Sequence, residues 1–247
     1  MDDCWQTHTD ALRNQLKSHS LKGVFYVIGD FVGREVNGFR FSSWEDLTLI
    51  ASDGNEIGSH SCTHRGAGLN TFSKLHRFGN LLWNNGISRS VPRAINAIKS
   101  RDEEYDVEHL SQEDEIHNSK LKIEKEIRTE CKSYSYPGGG CTSELKQLIS
   151  KSGYSSARTG YTGFNKFNSL DHFALLVQSW DKSVDSKLAN SWVDKAIIDN
   201  LWLIEVFHTI DKLDYYYNAS SSELNSHLEY VLSRSREIEN LNVSEVV

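Results

Sequence analysis

Short apolar runs alternate along this chain with longer segments of helical period, and several of the runs end at a side chain able to do chemistry. Gly23-Val-Phe-Tyr-Val-Ile-Gly29 is β-branched, apolar and bounded by glycines, which is how a strand buried on both faces reads. Glu56-Ile-Gly-Ser59 is a shorter strand candidate that delivers His60, and Tyr134-Ser-Tyr136 runs into Pro137-Gly-Gly-Gly140. Leu201-Trp-Leu-Ile-Glu-Val-Phe207 carries the strongest strand pattern and ends at His208. Helices are expected over 7–19, 42–52, 112–132, 143–152, 186–198 and 222–236. The second opens on the capping-box pattern Ser42-Ser-Trp-Glu45. In the third, Ile116, Ile123 and Ile127 fall on one face; in the last, Leu224, Leu228, Val231 and Leu232 do. Repeated strand-then-helix units specify a parallel α/β fold, open or barrel-like. Reactive residues in such folds gather at the carboxyl ends of the strands. Asp2-Asp3, His60, Pro137 and His208 all fall at such ends.

The 247 residues suit one large domain or two small ones, a single domain being the reading adopted, and a hydrophobic fraction of 38% is enough for a sizeable core. Residues 65–111 break the alternation and read as an insertion without clear chemistry. A net charge of −7 and the lack of a long basic stretch argue against nucleic acid as a partner. No apolar run is long enough to span a membrane, and the first twenty residues do not read as a signal peptide. The four cysteines, Cys4, Cys62, Cys131 and Cys141, are too scattered for a disulfide scaffold or a zinc knuckle. Asn218-Ala-Ser and Asn242-Val-Ser fit the glycosylation triplet, a pattern common by chance.

The acidic pair and the His60-Ser-Cys-Thr-His64 run form a split set of metal ligands. Two imidazoles and one carboxylate leave room on a zinc-like ion for water, with the other carboxylate free to act as a base. An H-x-x-x-H pair shares one face if it forms a helical turn. On spacing alone, such a pair is more often surface or core histidine. Pro137 and the glycines after it make a rigid corner, either a plain turn or one whose backbone N–H groups meet a substrate oxygen. His208 is either a satisfied histidine or a general acid at a cleft.

Taken in order, these motifs resemble the polysaccharide deacetylase family, the NodB-homology or carbohydrate esterase family 4 domain. Asp2-Asp3 resembles its first motif, and Asn55-Glu-Ile-Gly-Ser-His-Ser-Cys-Thr-His64 its second, almost without departure. Tyr134-Ser-Tyr-Pro-Gly138 is similar to the third, and Leu203-Ile-Glu-Val-Phe-His208 to the last. Gly153-Tyr-Ser-Ser-Ala-Arg-Thr159 is similar to the segment between the third and fourth. The resemblance covers most of 1–64 and 112–210. It implies a distorted (β/α) barrel of about seven strands, and metal-dependent removal of acetyl groups from N-acetylated sugars in a carbohydrate polymer or oligosaccharide. It assigns Asp3, His60 and His64 to one divalent metal ion, most often zinc, Asp2 to the general base and His208 to the general acid. An oxyanion would be met by the metal and by a backbone N–H near Tyr136, beside Pro137. A bell-shaped rate profile between Asp2 and a protonated His208 follows from those roles. The family's setting also implies an extracellular or cell-wall location.

Three departures accompany the resemblance. Ser135 stands where the family's third motif usually carries an arginine that holds the base aspartate. The fourth motif is blurred. Ser179-Trp-Asp181 is its nearest candidate, with Trp180 walling the leaving-group side or simply in the core, and Asp181 orienting His208. Met1 stands where the first barrel strand should end, so the strand is expected to be cut short, with strand edges exposed beside it. Two other readings stand beside the leading one: an inactive carbohydrate-binding relative, and a deacylase of small non-sugar amides.

Overall fold

A computed structural model describes residues 1–66, 107–108 and 110–247. Most of the expected insertion lies outside the described residues. The core of the fold is a six-stranded, wholly parallel sheet. Its strands are β1 (Val24–Val27), β4 (Glu56–Ser59), β5 (Ser133–Ser135), β6 (Ser156–Thr162), β8 (Leu175–Ser179) and β10 (Glu205–Val206), paired in that order. Outside it, the short strands β2 (Glu35–Val36) and β3 (Phe39–Arg40) pair with each other, as do β7 (Asn165–Lys166) and β9 (Leu201–Trp202). Strand order that follows chain order, with helices in the crossovers, curls a sheet progressively toward a barrel. Four helices serve as crossovers: α2 (Trp44–Ser52), α3 (Gln112–Ile127), α4 (Ser143–Lys151) and α5 (Ser186–Asp199). The helix α1 (Gln6–Ser18) leads into β1, and α6 (Ser221–Ser233) packs on α5.

The edges at β1 and β10 face each other across Met1 and Asp2. Met1 N donates to Val24 O (2.8 Å), Tyr26 N donates to Met1 O (2.9 Å), and Asp2 N donates to Phe207 O (2.9 Å). Two residues thus occupy the place of a seventh strand, and at this level the expected exposed edges are bridged. Phe25, Val27, Leu47, Ile50, Ile116, Ile123, Ile149 and Trp180 belong to one apolar core between sheet and helices. Gly58 is required by close approach. A Cβ there would lie 2.6 Å from two carbons of the Tyr26 ring and 2.8 Å from Ser133 Oγ.

The helices match their expected spans to within a few residues, apart from earlier ends near Ile127 and Ser233. The capping box sits one residue later than expected: Ser43 and Asp46 close it, through Asp46 N to Ser43 Oγ (3.2 Å) and Ser43 N to Asp46 Oδ2 (2.9 Å). In α6 the buried side chains are Leu224, His227 and Leu228, while Leu232 is exposed. The 201–207 run is not one strand. Leu201 and Trp202 of β9 pair antiparallel with β7, and only Glu205–Val206 joins the main sheet. All four cysteines are free. Asn218 and Asn242 are both buried, which disfavours glycan attachment at either triplet. Among the described residues no helix is long and apolar enough to cross a membrane.

Candidate active site

Asp2, Asp3, His60 and His208 converge at the carboxyl end of the sheet. Asp3 and Cys4 adopt left-handed backbone angles (φ 62° and 58°), as do Ser61 and His64 (φ 67° and 64°). Non-glycine residues persist there only where the surroundings hold them, at about 1–3 kcal/mol each. Ser42 supplies one hold, through its N and Oγ on Cys4 O (3.0 and 3.1 Å). His60 and His64 therefore meet across an irregular loop, where a helical turn was one expectation.

Asp3 Oδ1 lies 3.6 Å from His60 Nε2 and 3.5 Å from His64 Nε2. The three ligand atoms lie within 4.8 Å of one another. Tetrahedral coordination with bonds of about 2.0–2.1 Å separates neighbouring ligands by roughly 3.3 Å, close to both Asp–His spacings. Asp3 Oδ1 is buried without a hydrogen-bond partner among the described residues. His60 Nδ1 lies 2.8 Å from Ser135 O. A carbonyl only accepts, so Nδ1 carries the proton, and burial keeps the ring neutral by lowering its pKa. The Nε2 lone pair then points at Asp3, an arrangement typical of a metal-bound histidine. Burial, with the Asp2 charge adding to it, pushes the Asp3 carboxyl up to about 7. An acceptor oxygen and an imidazole lone pair facing each other in a buried site call for a cation, so the residues fit a divalent ion.

Asp2 lies beside this set. Its Oδ1 accepts from Arg158 Nη2, and the pair is buried, at 4% and 3% exposure. Burial alone would raise the Asp2 carboxyl, but Arg158, with His60, His208 and the N-terminal ammonium adding to it, outweighs burial and holds it well below the usual carboxylate range. Ser135 and Arg158 are register partners in the β5–β6 pair. The guanidinium expected at position 135 is thus supplied from the adjacent position on the next strand. Arg158 lies within the quoted segment Gly153–Thr159, but no signal along the chain gave it this role. Its Cζ also sits 5.0 Å from the Tyr26 ring centroid.

His208 Nε2 lies 3.6 Å from Asp2 Oδ2, and its side chain keeps 20% exposure at the mouth of the site. Its ring stacks on Tyr217 with centroids 5.1 Å apart and planes at 29°. Burial pushes its pKa down to about 4 despite the opposing Asp2 charge.

The family model for polysaccharide deacetylases matches residues 1–157, more than half of the chain. The chain belongs to the polysaccharide deacetylase family. A search of curated proteins finds no match. Among solved structures, a family 4 acetyl xylan esterase from Clostridium thermocellum in complex with cobalt aligns over 100% of this chain and 87% of its own. Identity is 15% and the TM-score 0.55. The Xyl-CE4 domain of a multidomain xylanase from the hindgut metagenome of Trinervitermes trinervoides aligns over 100% and 86%, at 14% identity and TM-score 0.51. At these identities the likeness establishes the fold, a curled parallel sheet of the deacetylase barrel type. IcaB from Ammonifex degensii aligns over 64% of this chain at 17% identity and TM-score 0.44, and the chain spans 57% of that protein's length.

Several residues of this family member sit differently from expectation. Tyr136 N donates to Arg158 O (3.2 Å), so this amide is spent in the sheet, and the ring is buried with its hydroxyl on Phe173 O (3.0 Å). Pro137 is buried at the start of a 3-10 turn, Pro137–Gly139, whose Gly138 and Gly139 take left-handed angles (φ 66° and 70°). Trp180 is wholly buried and offers no surface to a substrate. It stacks on Phe207 (5.3 Å, 30°), the residue before His208, and donates Nε1 to Glu205 (3.2 Å). Asp181 is buried and accepts from Ser183 N (2.8 Å) and Ser183 Oγ (2.5 Å). His208 Nδ1 is buried without a partner among the described residues, so the expected Asp181 contact is not formed.

Proposed function

We propose that this chain is a metal-dependent deacetylase that hydrolyses N-acetyl groups on an N-acetylhexosamine-containing polysaccharide. The observation that carries the reading is the convergence of Asp3, His60 and His64 beside the paired Asp2 and within reach of His208. A divalent ion, zinc by the family's habit, would be held by Asp3 Oδ1 and the two Nε2 atoms. When bound it supplies Lewis-acid polarisation of the acetyl carbonyl and a lowered pKa for the attacking water.

The protein's own groups do the rest. Arg158 fixes one oxygen of Asp2 and leaves Oδ2 turned toward His208. Asp2 accepts a proton from the attacking water. A carboxylate held this far down is always ionised but weakly basic, so the water must arrive acidified. His208 is neutral in the resting site, and a proton on Asp2 has His208 Nε2 as its neighbour. The imidazolium formed by that transfer protonates the departing sugar nitrogen as the C–N bond breaks, giving acetate and a free amine. His208 therefore does not start protonated, and an acid limb at an ordinary histidine pKa is not expected.

Zinc uptake by the purified chain and acetate release from N-acetylglucosamine oligomers and from O-acetylated xylan test the reading together. Stoichiometric zinc, with release from the amide substrate and loss of both in Asp3→Ala, supports it. Release from xylan alone moves the chain to ester chemistry. Zinc-free protein without activity points to the inactive carbohydrate-binding alternative.

A further inference from the structure

Glu115, at 1% exposure, is a buried acidic side chain that the chemistry above leaves unused. It lies in the first turns of α3, behind the loop that carries His60 and His64. Its Oε2 accepts the Thr63 amide (2.8 Å), and its Oε1 accepts the Thr63 hydroxyl and the Leu110 amide (3.2 Å). Its backbone carbonyl accepts the Cys62 amide (3.1 Å). One residue therefore holds two consecutive positions of the ligand loop, between Ser61 and His64, the two left-handed residues. The other side of the loop is held from β1's end, where Gly29 N and Asp30 N donate to Ser61 O and Cys62 O (2.9 Å each).

His60 is set by its own Nδ1 on Ser135 O. His64 follows Thr63 directly, so its Cα position and φ depend on where the Thr63 peptide is fixed. We propose that Glu115 is a positioning residue for the metal centre. Its carboxylate locks Thr63 so that His64 faces Asp3 and His60 before an ion arrives. The inference rests on reading Asp3, His60 and His64 as the metal site. The chemistry of the side chain fits this task. An ionised carboxylate is acceptor-only, and it can take three converging N–H and O–H donors in a buried place where an amide would turn a donor against a donor. Burying a charge is costly unless such donors compensate it, so this brace is stiff.

Zinc is the probe, competed against a chromophoric chelator on the full metal-free chain. Cobalt(II) absorption reports the ligand set, and the metal-free melting temperature reports stability. Glu115→Gln, which keeps the volume, is expected to weaken zinc binding about 10- to 100-fold, the usual loss when a supporting group behind a ligand is removed. Its cobalt spectrum should lose intensity or shift. Thr63→Val removes only the hydroxyl contact, should weaken zinc at least about threefold, and decides the matter if Glu115→Gln does not fold. Ile123→Ala, further along the same helix, controls for lost stability alone; it should melt lower and keep zinc affinity within about threefold. Wild-type affinity in Thr63→Val and Glu115→Gln, whatever their melting temperatures, overturns the proposal. So does an equal loss in Ile123→Ala. A wild-type chain that takes up no zinc sinks the metal reading and this inference with it.

Discussion

Replacing Arg158 with methionine keeps the bulk of the side chain and removes the cation that compensates Asp2. Both groups are nearly inaccessible, at 3% and 4% exposure, so solvent cannot take over. Breaking a buried pair from one side usually costs about 3–5 kcal/mol, because a charge is left uncompensated. Asp2 has one escape, which is to take up a proton. Holding an aspartate protonated costs about 1.4 kcal/mol for each pH unit above its ordinary pKa of about 3.9, hence about 4 kcal/mol at pH 7 and about 1.5 kcal/mol at pH 5. The penalty is therefore capped, and the cap falls with pH. In the wild type, Arg158 leads the groups that outweigh burial and depress the folded pKa of Asp2, so its stabilisation is complete above about 3.9 and is lost only in stronger acid. Asp2 gives no slope there between pH 5 and 7. In Arg158→Met the folded pKa is raised, the folded state holds the extra proton, and stability falls as pH rises. The comparison is best made by urea unfolding of chelated protein in an Asp3→Asn background, which removes the second raised carboxyl. The stability lost on adding Arg158→Met to that background should shrink from about 4 kcal/mol at pH 7 to about 1.5 kcal/mol at pH 5. A loss below about 1 kcal/mol at pH 7, or one that does not change with pH, would refute the reasoning.

Three further outcomes are expected. In metal-free protein the His208 ring should titrate near its lowered value of about 4, as its NMR ring-proton shifts will report; a midpoint above about 6 would contradict its burial. Tyr217→Phe should keep kcat within about twofold, whereas Tyr217→Leu should lower it about 2- to 10-fold, the rate equivalent of an aromatic pair worth about 0.5–1.5 kcal/mol; equal rates would mean the stacking does not orient His208. Gly58→Ala forces a methyl against the Tyr26 ring and should cost about 1–3 kcal/mol in urea unfolding, with activity falling because Tyr26 backs Arg158; a neutral substitution would show that the ring can yield.

The strand β1 was legible because its residues are apolar. Phe25 and Val27 of β1 are fully buried, and the run that contains them stands out between its glycines. The strand β6 went unread because its buried residues are Ser156, Ala157, Arg158, Thr159 and Thr162. They line the part of the sheet that leads to the site, where buried polar groups find partners, as Thr159 Oγ1 does on Leu175 O (2.9 Å). Apolar periodicity cannot see a strand of this kind. The opposite error arose at 201–207, where the apolar run is continuous but its pairing is not. Leu201 and Trp202 pair with β7, and Glu205 and Val206 pair with β8. The candidate ligand cluster was legible because His60 and His64 lie in one short stretch and Asp3 in another. The helical turn considered for the histidines was not, since it depends on the backbone angles of Ser61 and His64, which are set by Ser61 O, Cys62 and Thr63 contacts to other segments.

The relocated guanidinium shows why the two kinds of information diverge. A motif is read along the chain, and by that reading Ser135 leaves Asp2 without its usual cation. The site is assembled across the sheet, and in a parallel pair the register partners Ser135 and Arg158 stand side by side on one face. An arginine on either strand can therefore reach the same carboxylate. The sheet holds this substitution in place through Tyr136 N on Arg158 O (3.2 Å), the ladder bond that also removes the Tyr136 amide from any role at an oxyanion. Moving the cation one strand over and losing that backbone donor are thus two consequences of one register, and a chain that carried its arginine at position 135 would still have to place the same ladder beside it.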